Sequence, residues 1–304
     1  MNKKPNVAIL LATFNGNRWI SGQIKSILSQ KKINIKIFIS DDGSTDGTLN
    51  YIQKMVKVDS RIVLLPQKKA TKSSGKNFFR LISEVDVSKF DFVGFSDQDD
   101  LWTENKIYRH INLLKLKKVD GISSNVLAFW PNGQKKIINK SQPMKRYDYL
   151  FESAGPGCSF LITPWLFSKT KYHILTSKII KEGVMHDWLI YAICRSYKKN
   201  WYIDSFSSLQ YRQHSKNVMG ANFGLSAFVN RFRMIKSGYY RNEVIKICAL
   251  CSSISDDVNI IKIHNLLTNK TIISQLHLLK FIFSFRRKFV DCVFLFISIL
   301  LFIF

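Results

Sequence analysis

The sequence predicts an α/β fold in which a mostly parallel central sheet is flanked by helices. Apolar runs of strand length alternate with helical segments in the part of the chain before Asp97, which is typical of a parallel sheet covered on both faces. These runs are continuous, as expected of strands that are buried on both sides. Polar clusters follow several runs directly, at the edge of the sheet where such folds bind their ligands.

The elements are predicted in the order in which the pattern presents them. Four strands come first, over Val7–Thr13, Ile35–Ser40, Arg61–Leu65 and Phe90–Phe95. The helices between these strands cover Trp19–Ser29, a segment that begins near Thr45 and Asp46, and Lys76–Val85. Farther along, we predict a helix over Glu104–Lys117, strands near Gly121–Phe129 and Cys158–Thr163, a helix over His186–Tyr197 and an extended stretch over Trp201–Tyr211.

After about Gly224 the pattern becomes helical and basic, so we divide the chain into a catalytic domain (residues 1–223) and a helical C-terminal region (residues 224–304). The apolar run Val293–Phe304 is shorter than the roughly 20 residues of a bilayer-spanning helix, and the basic segment Arg286–Lys288 precedes it. We therefore expect this region to lie on an anionic membrane surface. A C-terminal helix docked on the protein's own core is the alternative.

The formal net charge of +25 admits three kinds of partner: nucleic acid, an anionic membrane surface or phosphorylated substrates. The five cysteines are scattered and give no disulfide framework, which fits a reducing compartment. No signal-peptide pattern follows Met1. We therefore expect a cytoplasmic protein that is peripheral on the inner face of the cell membrane.

Three polar clusters follow predicted strands, at Thr13–Asn15, Asp41–Gly43 and Asp97–Asp100. Because the carboxyl ends of parallel strands share one edge of a sheet, these clusters should converge. Carboxylates as dense as those of the third cluster repel one another unless they share a cation, and Mg²⁺ or Mn²⁺ bridges such groups to substrate phosphates. A solvated acidic turn that caps the next helix is the alternative.

The motifs Leu11–Gly16 (LATFNG), Gln23–Gln30 (QIKSILSQ), Ser40–Thr48 (SDDGSTDGT) and Phe95–Trp102 (FSDQDDLW) resemble those of the family 2 glycosyltransferases in order and spacing. The resemblance covers the chain up to about Ser215. It implies a GT-A fold, which is Rossmann-like, a nucleotide-diphosphate sugar as donor, and Mn²⁺ or Mg²⁺ as cofactor.

The resemblance also assigns roles to single residues on the donor side. Thr13, Phe14 and Asn15 would line the nucleotide pocket, and Asp42, beside Asp41, would contact the base. Gly75 and Asn77 match a loop-to-helix turn at the donor site. Asp97 and Asp99 form the family's DxD pair, with Gln98 and Asp100 beside it, and Asp99 is the expected metal ligand. Arg212 and His214 carry donors that suit the departing diphosphate.

On the acceptor side, Gly157 and Cys158 lie in a segment that resembles the family's glycine-containing loop. His186, Asp187 and Trp188 fall where the family has an acidic catalytic residue at the start of a helix. An inverting transfer needs a carboxylate that takes the proton of the acceptor hydroxyl. We predict that Asp187 is this base, and a carboxylate that only stabilises the helix N-terminus is the alternative.

Two features narrow the expected activity further. The Gln-x-x-Arg-Trp pattern of polymerising family members does not occur, which favours addition of a single sugar. The segment Tyr211–Asn217 resembles the rhamnosyltransferase-like branch, which transfers from dTDP-rhamnose. We expect a membrane-linked glycan acceptor, as in bacterial surface polysaccharide synthesis, and no nucleic-acid partner. A basic nucleic-acid-binding protein and an inactive scaffold of a polysaccharide-assembly complex are the alternatives.

Overall fold

The strands of the protein form two sheets in the computed structural model, which describes residues 3–181, 184–214, 229, 232–269 and 271–304. In chain order the strands are β1 (Asn6–Thr13), β2 (Asn34–Asp41), β3 (Ile62–Leu64), β4 (Phe92–Ser96), β5 (Leu101–Trp102), β6 (Gly121–Ser124), β7 (Val126–Phe129), β8 (Lys135–Ile138), β9 (Leu161–Ile162), β10 (Trp201–Asp204) and β11 (Leu209–Arg212).

The helices cover the sheets and then continue as a C-terminal group. Up to β11 they are α1 (Ile20–Leu28), α2 (Thr48–Val58), α3 (Ser74–Glu84), α4 (Lys106–Lys117), α5 (Pro164–Thr176), α6 (Lys178–Lys181) and α7 (His186–Ser196). The C-terminal group comprises α8 (Tyr239–Ile254), α9 (Val258–Thr268), α10 (Ile272–Leu278), α11 (Ile282–Phe285) and α12 (Phe289–Leu300).

The main sheet has seven strands in the order β10-β6-β9-β4-β1-β2-β3. All neighbours in it are parallel except β9, which runs antiparallel to both β4 and β6. The predicted fold class, a mostly parallel sheet flanked by helices, is therefore confirmed. The smaller sheet has the order β5-β11-β7-β8 and lies beyond the carboxyl end of β4 in the chain.

The alternation of side chains along β1 produces two hydrophobic cores, one on each face of the main sheet. Val7, Ile9 and Leu11 belong to the core that α1 and α4 cover. Ala8 and Leu10 belong to the core on the opposite face, which α3, α5 and α7 cover. All five of these side chains are fully buried, which explains why the strand is a continuous apolar run.

The single extended stretch predicted over Gly121–Phe129 is in fact two strands that belong to different sheets. β6 pairs with β10, whereas β7 pairs with β11 and β8. Asn125 lies at the junction, and its side-chain oxygen accepts hydrogen bonds from the backbone N–H groups of Lys140 (2.7 Å) and Ser141 (3.1 Å). These bonds hold the hairpin of β7 and β8 against the main sheet.

The C-terminal helices share the core that α7 helps to form. Ile247, Leu267 and Leu295 lie in the same buried cluster as Leu189 and Phe151. The predicted boundary between residues 223 and 224 lies outside the described residues, so this division stays a prediction. The basic segment Arg286–Lys288 was expected to meet lipid, but the side chain of Arg287 is fully buried in internal ion pairs.

Helix α12 has two apolar faces. Cys292, Leu295 and Ile299 are buried against the core, as the docked alternative predicts. Val290 and Ile297, on the other side of the helix, are exposed. No helix in the described part of the chain is both long enough and apolar enough to cross a bilayer. One face of the helix is therefore docked, and the other remains available.

We predict that Gly121→Ala destabilises the fold, because a Cβ at this position would lie 2.2 Å from the ring of Trp201. Overpacking of a core typically costs about 1–3 kcal/mol. Gly22→Ala is the control, since its Cβ would lie 3.4 Å from Leu101, an ordinary contact, and alanine favours the helix. Thermal unfolding of both variants is the measurement. Equal stability of the two would contradict the tight packing of β6 on β10.

Candidate active site

Hydrogen bonds tie the carboxyl ends of β1 and β2 together. The Asp41 carboxylate accepts bonds from the hydroxyls of Thr13 (2.9 Å) and Ser44 (2.6 Å). It also accepts bonds from the backbone N–H groups of Gly43 (3.2 Å) and Ser44 (2.9 Å). Asp41 is buried, and both of its carboxylate oxygens accept hydrogen bonds. Its side chain therefore shapes the turn after β2.

Asp42 and Asn77 connect the ends of β1 and β2 to the loop that precedes α3. Asp42 accepts hydrogen bonds from the backbone N–H groups of Thr71 (2.6 Å) and Ser73 (3.3 Å) and from the Thr71 hydroxyl (3.0 Å). The buried Asn77 amide donates to the carbonyls of Thr13 (3.3 Å) and Ser40 (3.0 Å). Both side chains therefore fix the loop that leads into α3, where the sequence predicted the donor-site turn.

The loop after β1 is fixed to the acidic segment by Gln98. Its amide oxygen accepts from the Phe14 N–H (2.9 Å), and its amide nitrogen donates to the Phe14 carbonyl (2.8 Å). The Phe14 ring is half exposed at the rim. Asn15 accepts from the Thr45 N–H at 2.8 Å. Gly75 lies in the first turn of α3, beside the backbone of Val184.

Asp97, Asp100 and Cys158 form a compact group at the end of β4. One potential ligand atom from each of the three lies within 4.8 Å of the others. The Asp100 Oδ1 accepts from the Arg212 N–H at 3.1 Å, whereas its buried Oδ2 has no hydrogen-bond partner within the described residues. A buried carboxylate oxygen without a donor is costly unless a cation meets it.

The electrostatics of this group fit a divalent cation. Burial, together with the charges of Asp99 and Asp187, raises the pKa of Asp97 to about 7. Burial and the same neighbouring acidic segment raise the pKa of Asp100 well above its ordinary value. Burial also raises the pKa of the Cys158 thiol, so sulfur is present as a neutral group. Carboxylate oxygens without a thiolate suit Mg²⁺ or Mn²⁺ better than a soft metal.

Asp99 points to the side of β11. Its Oδ2 lies 2.7 Å from Nε2 of His214, and the His214 ring stacks on Trp19 with centroids 4.2 Å apart. The Arg212 Nε donates to the Asp99 carbonyl at 2.8 Å, and its guanidinium lies over the Phe129 ring. The structure thus brings both predicted diphosphate contacts, Arg212 and His214, to the acidic segment.

Lys106 is a residue of this site that the sequence analysis missed. Its ammonium is fully buried 3.8 Å from the Trp102 ring centroid, and it makes no hydrogen bond to any described residue. Burial lowers the pKa of Lys106 to about 7, although the charge of Asp100 opposes this. The signal was present, because Lys106, His110 and Leu114 lie one helical turn apart on the inward face of α4.

The predicted base lies beside the acidic group. Asp187 begins α7 and accepts from the backbone N–H groups of Trp188 (2.6 Å) and Gly157. Burial raises the pKa of Asp187 to about 6 although these hydrogen bonds oppose it. Gly157 is required here, since a Cβ would lie 2.3 Å from Nε2 of His186. The two predicted acceptor-side segments therefore meet at this point.

His186 and Trp188 shape the site without offering groups to it. The His186 ring stacks on Phe78 with centroids 3.8 Å apart, and burial lowers its pKa to about 3. The Trp188 indole packs in the core beside Tyr240 and donates to the Tyr149 carbonyl at 2.8 Å. Trp188 was predicted on the acceptor side, but its side chain points away from the site and into the core.

A mostly parallel sheet with an acidic group, a further buried carboxylate and basic side chains near the carboxyl ends of its strands fits a glycosyltransferase of the GT-A class. The chain belongs to a family within it: the model described as "Glycosyl transferase family 2" matches residues 8–173. The resemblance found in the sequence is confirmed.

Curated relatives and solved structures agree with this assignment. The chain is 38% identical over 296 residues to the dTDP-rhamnosyl transferase RfbG of Shigella flexneri, with 97% of this chain and 100% of that protein covered. It is 26% identical over 209 residues to WfgD of Escherichia coli, a UDP-Glc:alpha-D-GlcNAc-diphosphoundecaprenol beta-1,3-glucosyltransferase, covering 63% of this chain and 76% of the relative. The crystal structure of S. aureus TarS 1-349 with UDP-GlcNAc matches with a TM-score of 0.58 at 13% identity, covering 87% of this chain and 72% of TarS, which shows the shared fold.

We predict that the metal-free protein loses stability as pH rises, and that Mn²⁺ restores it. The raised pKa of Asp97 means that its contribution to stability is present at low pH and is lost as pH rises through about 7. In EDTA, the Tm should fall by roughly 5 °C between about pH 5 and about pH 7, below the range in which the lowered pKa of Lys106 acts in the opposite direction. Mn²⁺ should raise the Tm more at the higher pH.

The matched variants for this measurement are Asp97→Asn and Asp86→Asn. The first removes a carboxylate of the acidic group, and the second removes an exposed one elsewhere. Asp97→Asn should abolish most of the Mn²⁺ effect, whereas Asp86→Asn should retain it. A full Mn²⁺ effect in Asp97→Asn would show that the cation binds elsewhere.

Proposed function

We propose that this glycosyltransferase moves one rhamnose, with inversion, from dTDP-rhamnose to a lipid-linked glycan in bacterial surface polysaccharide synthesis. The proposed donor rests on the similarity to a dTDP-rhamnosyl transferase, because that relative is covered over its full length. The acceptor proposal draws on WfgD, whose named substrate is a saccharide linked to a polyprenyl diphosphate.

On the donor side, we propose that Thr13, Phe14, Asn15, Asp42, Gly75 and Asn77 form the nucleotide pocket, with Asp41 beneath it. Support comes from the hydrogen bonds that Thr13, Asp42 and Asn77 make near the ends of β1 and β2. Their backbone groups are held rigidly, which favours binding without reorganisation. Arg212 and His214 would hold the diphosphate as it leaves, because charged donors bind phosphate oxygens strongly.

We propose Asp97 and Asp99, as the sequence predicted, together with Asp100, as the residues that would hold Mn²⁺ or Mg²⁺. The unpartnered Oδ2 of Asp100 supports its addition to the predicted pair. A bound divalent cation would supply charge neutralisation to the departing diphosphate. His214 keeps one oxygen of Asp99 in place, so it orients this carboxylate before substrate arrives.

We propose that Asp187 is the general base. Its carboxylate lies beside the acidic group, close enough for its charge to raise the pKa of Asp97. Burial holds its own pKa near 6, in the range where a base is unprotonated at neutral pH and still accepts a proton readily. The acceptor hydroxyl would enter beside Gly157 and Cys158, the loop segment that contacts Asp187 and its neighbour His186.

We also propose that the exposed face of the C-terminal helices rests on an anionic membrane. The rings of Phe283 and Phe289 stack with centroids 6.4 Å apart, and each is at least 65% exposed. Lys145 and Lys280 line a cavity of about 400 Å³ with Phe283. Apolar side chains bordered by lysines match the chemistry of a lipid surface with anionic headgroups.

We predict that Asp187→Asn lowers the kcat for dTDP-rhamnose by about 10²–10⁴-fold, because the acceptor proton then has no base. The affinity for dTDP should change by less than about threefold, since this residue is on the acceptor side. The kcat/KM of the unchanged protein should fall as pH drops below about 6, because Asp187 becomes protonated. Retention of full kcat in Asp187→Asn would mean that another group takes the proton.

We predict that Phe283→Ser combined with Phe289→Ser weakens binding to vesicles that contain phosphatidylglycerol by at least about tenfold, given the transfer free energy of two aromatic side chains. The control is Val58→Ser, which removes an equally exposed apolar side chain from α2. Cosedimentation with vesicles is the measurement. Undiminished binding of the double variant would move the membrane contact to another surface.

A further inference from the structure

Arg287 occupies an unusual place for a residue of a basic segment. Its side chain is fully buried, and its Nη1 donates to the Asp148 carboxylate at 3.1 Å. Its Nη2 donates to the Ser153 carbonyl at 2.7 Å, and its backbone N–H donates to the Glu152 carboxylate at 2.6 Å. One residue between α11 and α12 thus contacts three residues of the segment Asp148–Ser153, which leads into the acceptor-side loop.

The first route from Arg287 to the base runs through that loop. The Ser153 hydroxyl donates to the Gly155 carbonyl at 2.9 Å. Two residues farther on, the Gly157 N–H donates to the Asp187 carboxylate. The backbone that Arg287 holds at Ser153 is therefore the same short segment that orients Asp187.

The second route runs through Asp148 to helix α7. The Asp148 Oδ1 accepts from the Tyr191 hydroxyl (2.9 Å) and from Arg195 (3.2 Å), and both donors belong to α7. Asp187 lies in the first turn of this helix. Arg287 therefore stands at the junction of two hydrogen-bonded paths that meet again at the Asp187 carboxylate.

A buried guanidinium among carboxylates specifies one arrangement of its partners more strictly than apolar packing does. Its planar donors require fixed directions, and loss of the cation leaves buried carboxylates unpaired. Asp148 has no exposed surface with which to recover solvation. Displacement of Arg287 would therefore loosen the loop and the start of α7 together.

We propose that Arg287 is a positioning residue that aligns Asp187 and the acceptor-side loop, Ser153–Ser159, once the C-terminal helices have docked on the catalytic domain. This inference rests on the proposed role of Asp187 as the base. The donor side depends on β1, β2 and β4 instead, and the contacts of Arg287 described above do not reach it.

The test compares Arg287→Met and Arg287→Lys with the control Arg146→Met. Arg146 also joins the catalytic domain to the C-terminal helices, through Asp257 at 3.2 Å, but it is mostly exposed, where an ion pair contributes little. Three quantities are measured on the full chain: amide hydrogen exchange of Ser153–Ser159, Mn²⁺-dependent hydrolysis of dTDP-rhamnose, and the affinity for dTDP.

In Arg287→Met we expect exchange in Ser153–Ser159 to accelerate and the hydrolysis kcat to fall, each by about tenfold or more, with dTDP affinity within about threefold of the unchanged protein. Arg287→Lys should recover part of the kcat, and Arg146→Met should match the unchanged protein. Unaltered exchange and kcat in Arg287→Met would overturn the inference. An equal loss of dTDP affinity would also overturn it, since this outcome indicates general unfolding.

These results separate the inference from the function on which it rests. If the unchanged protein does not turn over dTDP-rhamnose with Mn²⁺, the proposed function fails. If the unchanged protein is active and the Arg287 variants are as active as the Arg146→Met control, the proposed function stands and the positioning role fails. Glu152→Gln, which removes one of the two carboxylate charges paired with Arg287 and keeps Arg287 on Asp148, provides a milder variant if Arg287→Met does not fold.

Discussion

Negative charge gathered at the end of a buried strand is the constraint on which the site depends. β4 delivers the three carboxylates of Asp97–Asp100, and Asp187 reaches the same place from α7. Carboxylates this close raise one another's free energy unless donors or cations compensate. The surrounding elements supply them: His214 and Arg212 follow or end β11, and Lys106 begins α4 beneath. On our proposal, a divalent cation would compensate the charge that remains.

The carboxylates of the site divide into two kinds by how their oxygens are used. Both oxygens of Asp41 and Asp42 accept hydrogen bonds from surrounding strand ends and loops, so on our proposal these residues shape the pocket. Asp100 keeps a buried oxygen without a partner in the part of the chain that the structure describes, and Asp97 lies beside it. This difference supports our proposal that Asp97 and Asp100 help to hold the cation, because a protein rarely leaves a buried acceptor unsatisfied without a function.

Much of the fold and of the candidate site could be predicted from the sequence, for identifiable physical reasons. A strand buried on both faces must be continuously apolar, so β1 and β4 could be located from composition alone. Parallel strands end at one edge, so the convergence of Thr13, Asp42 and Asp97 followed from their positions after strands. The motifs then assigned the family, which the family model and the relatives confirm.

The parts that the sequence did not predict depend on contacts between distant residues. The antiparallel insertion of β9 has only two residues, too few to carry a direction signal. The break at Asn125 depends on partners fifteen and sixteen residues farther along the chain. Arg287 looked like its exposed neighbour Lys288, because local sequence does not show which cation will face Asp148. A charge pattern gives the sign of a surface but not the position of each side chain.

The burial of Arg287 changes how the basic C-terminal region should be understood. A net charge of +25 invites the view that every cation of this region serves an anionic partner. The structure separates two tasks instead: Arg287 and Leu295 face the catalytic domain, while Val290 and Ile297 face outward. Because Leu295 lies opposite Val290 and Ile297 on α12, a contact made by the outer face of this helix stabilises the docked position of the inner one. On our proposals, a membrane surface would therefore favour the arrangement in which Asp187 is aligned, which links the location of the enzyme to the readiness of its acceptor side.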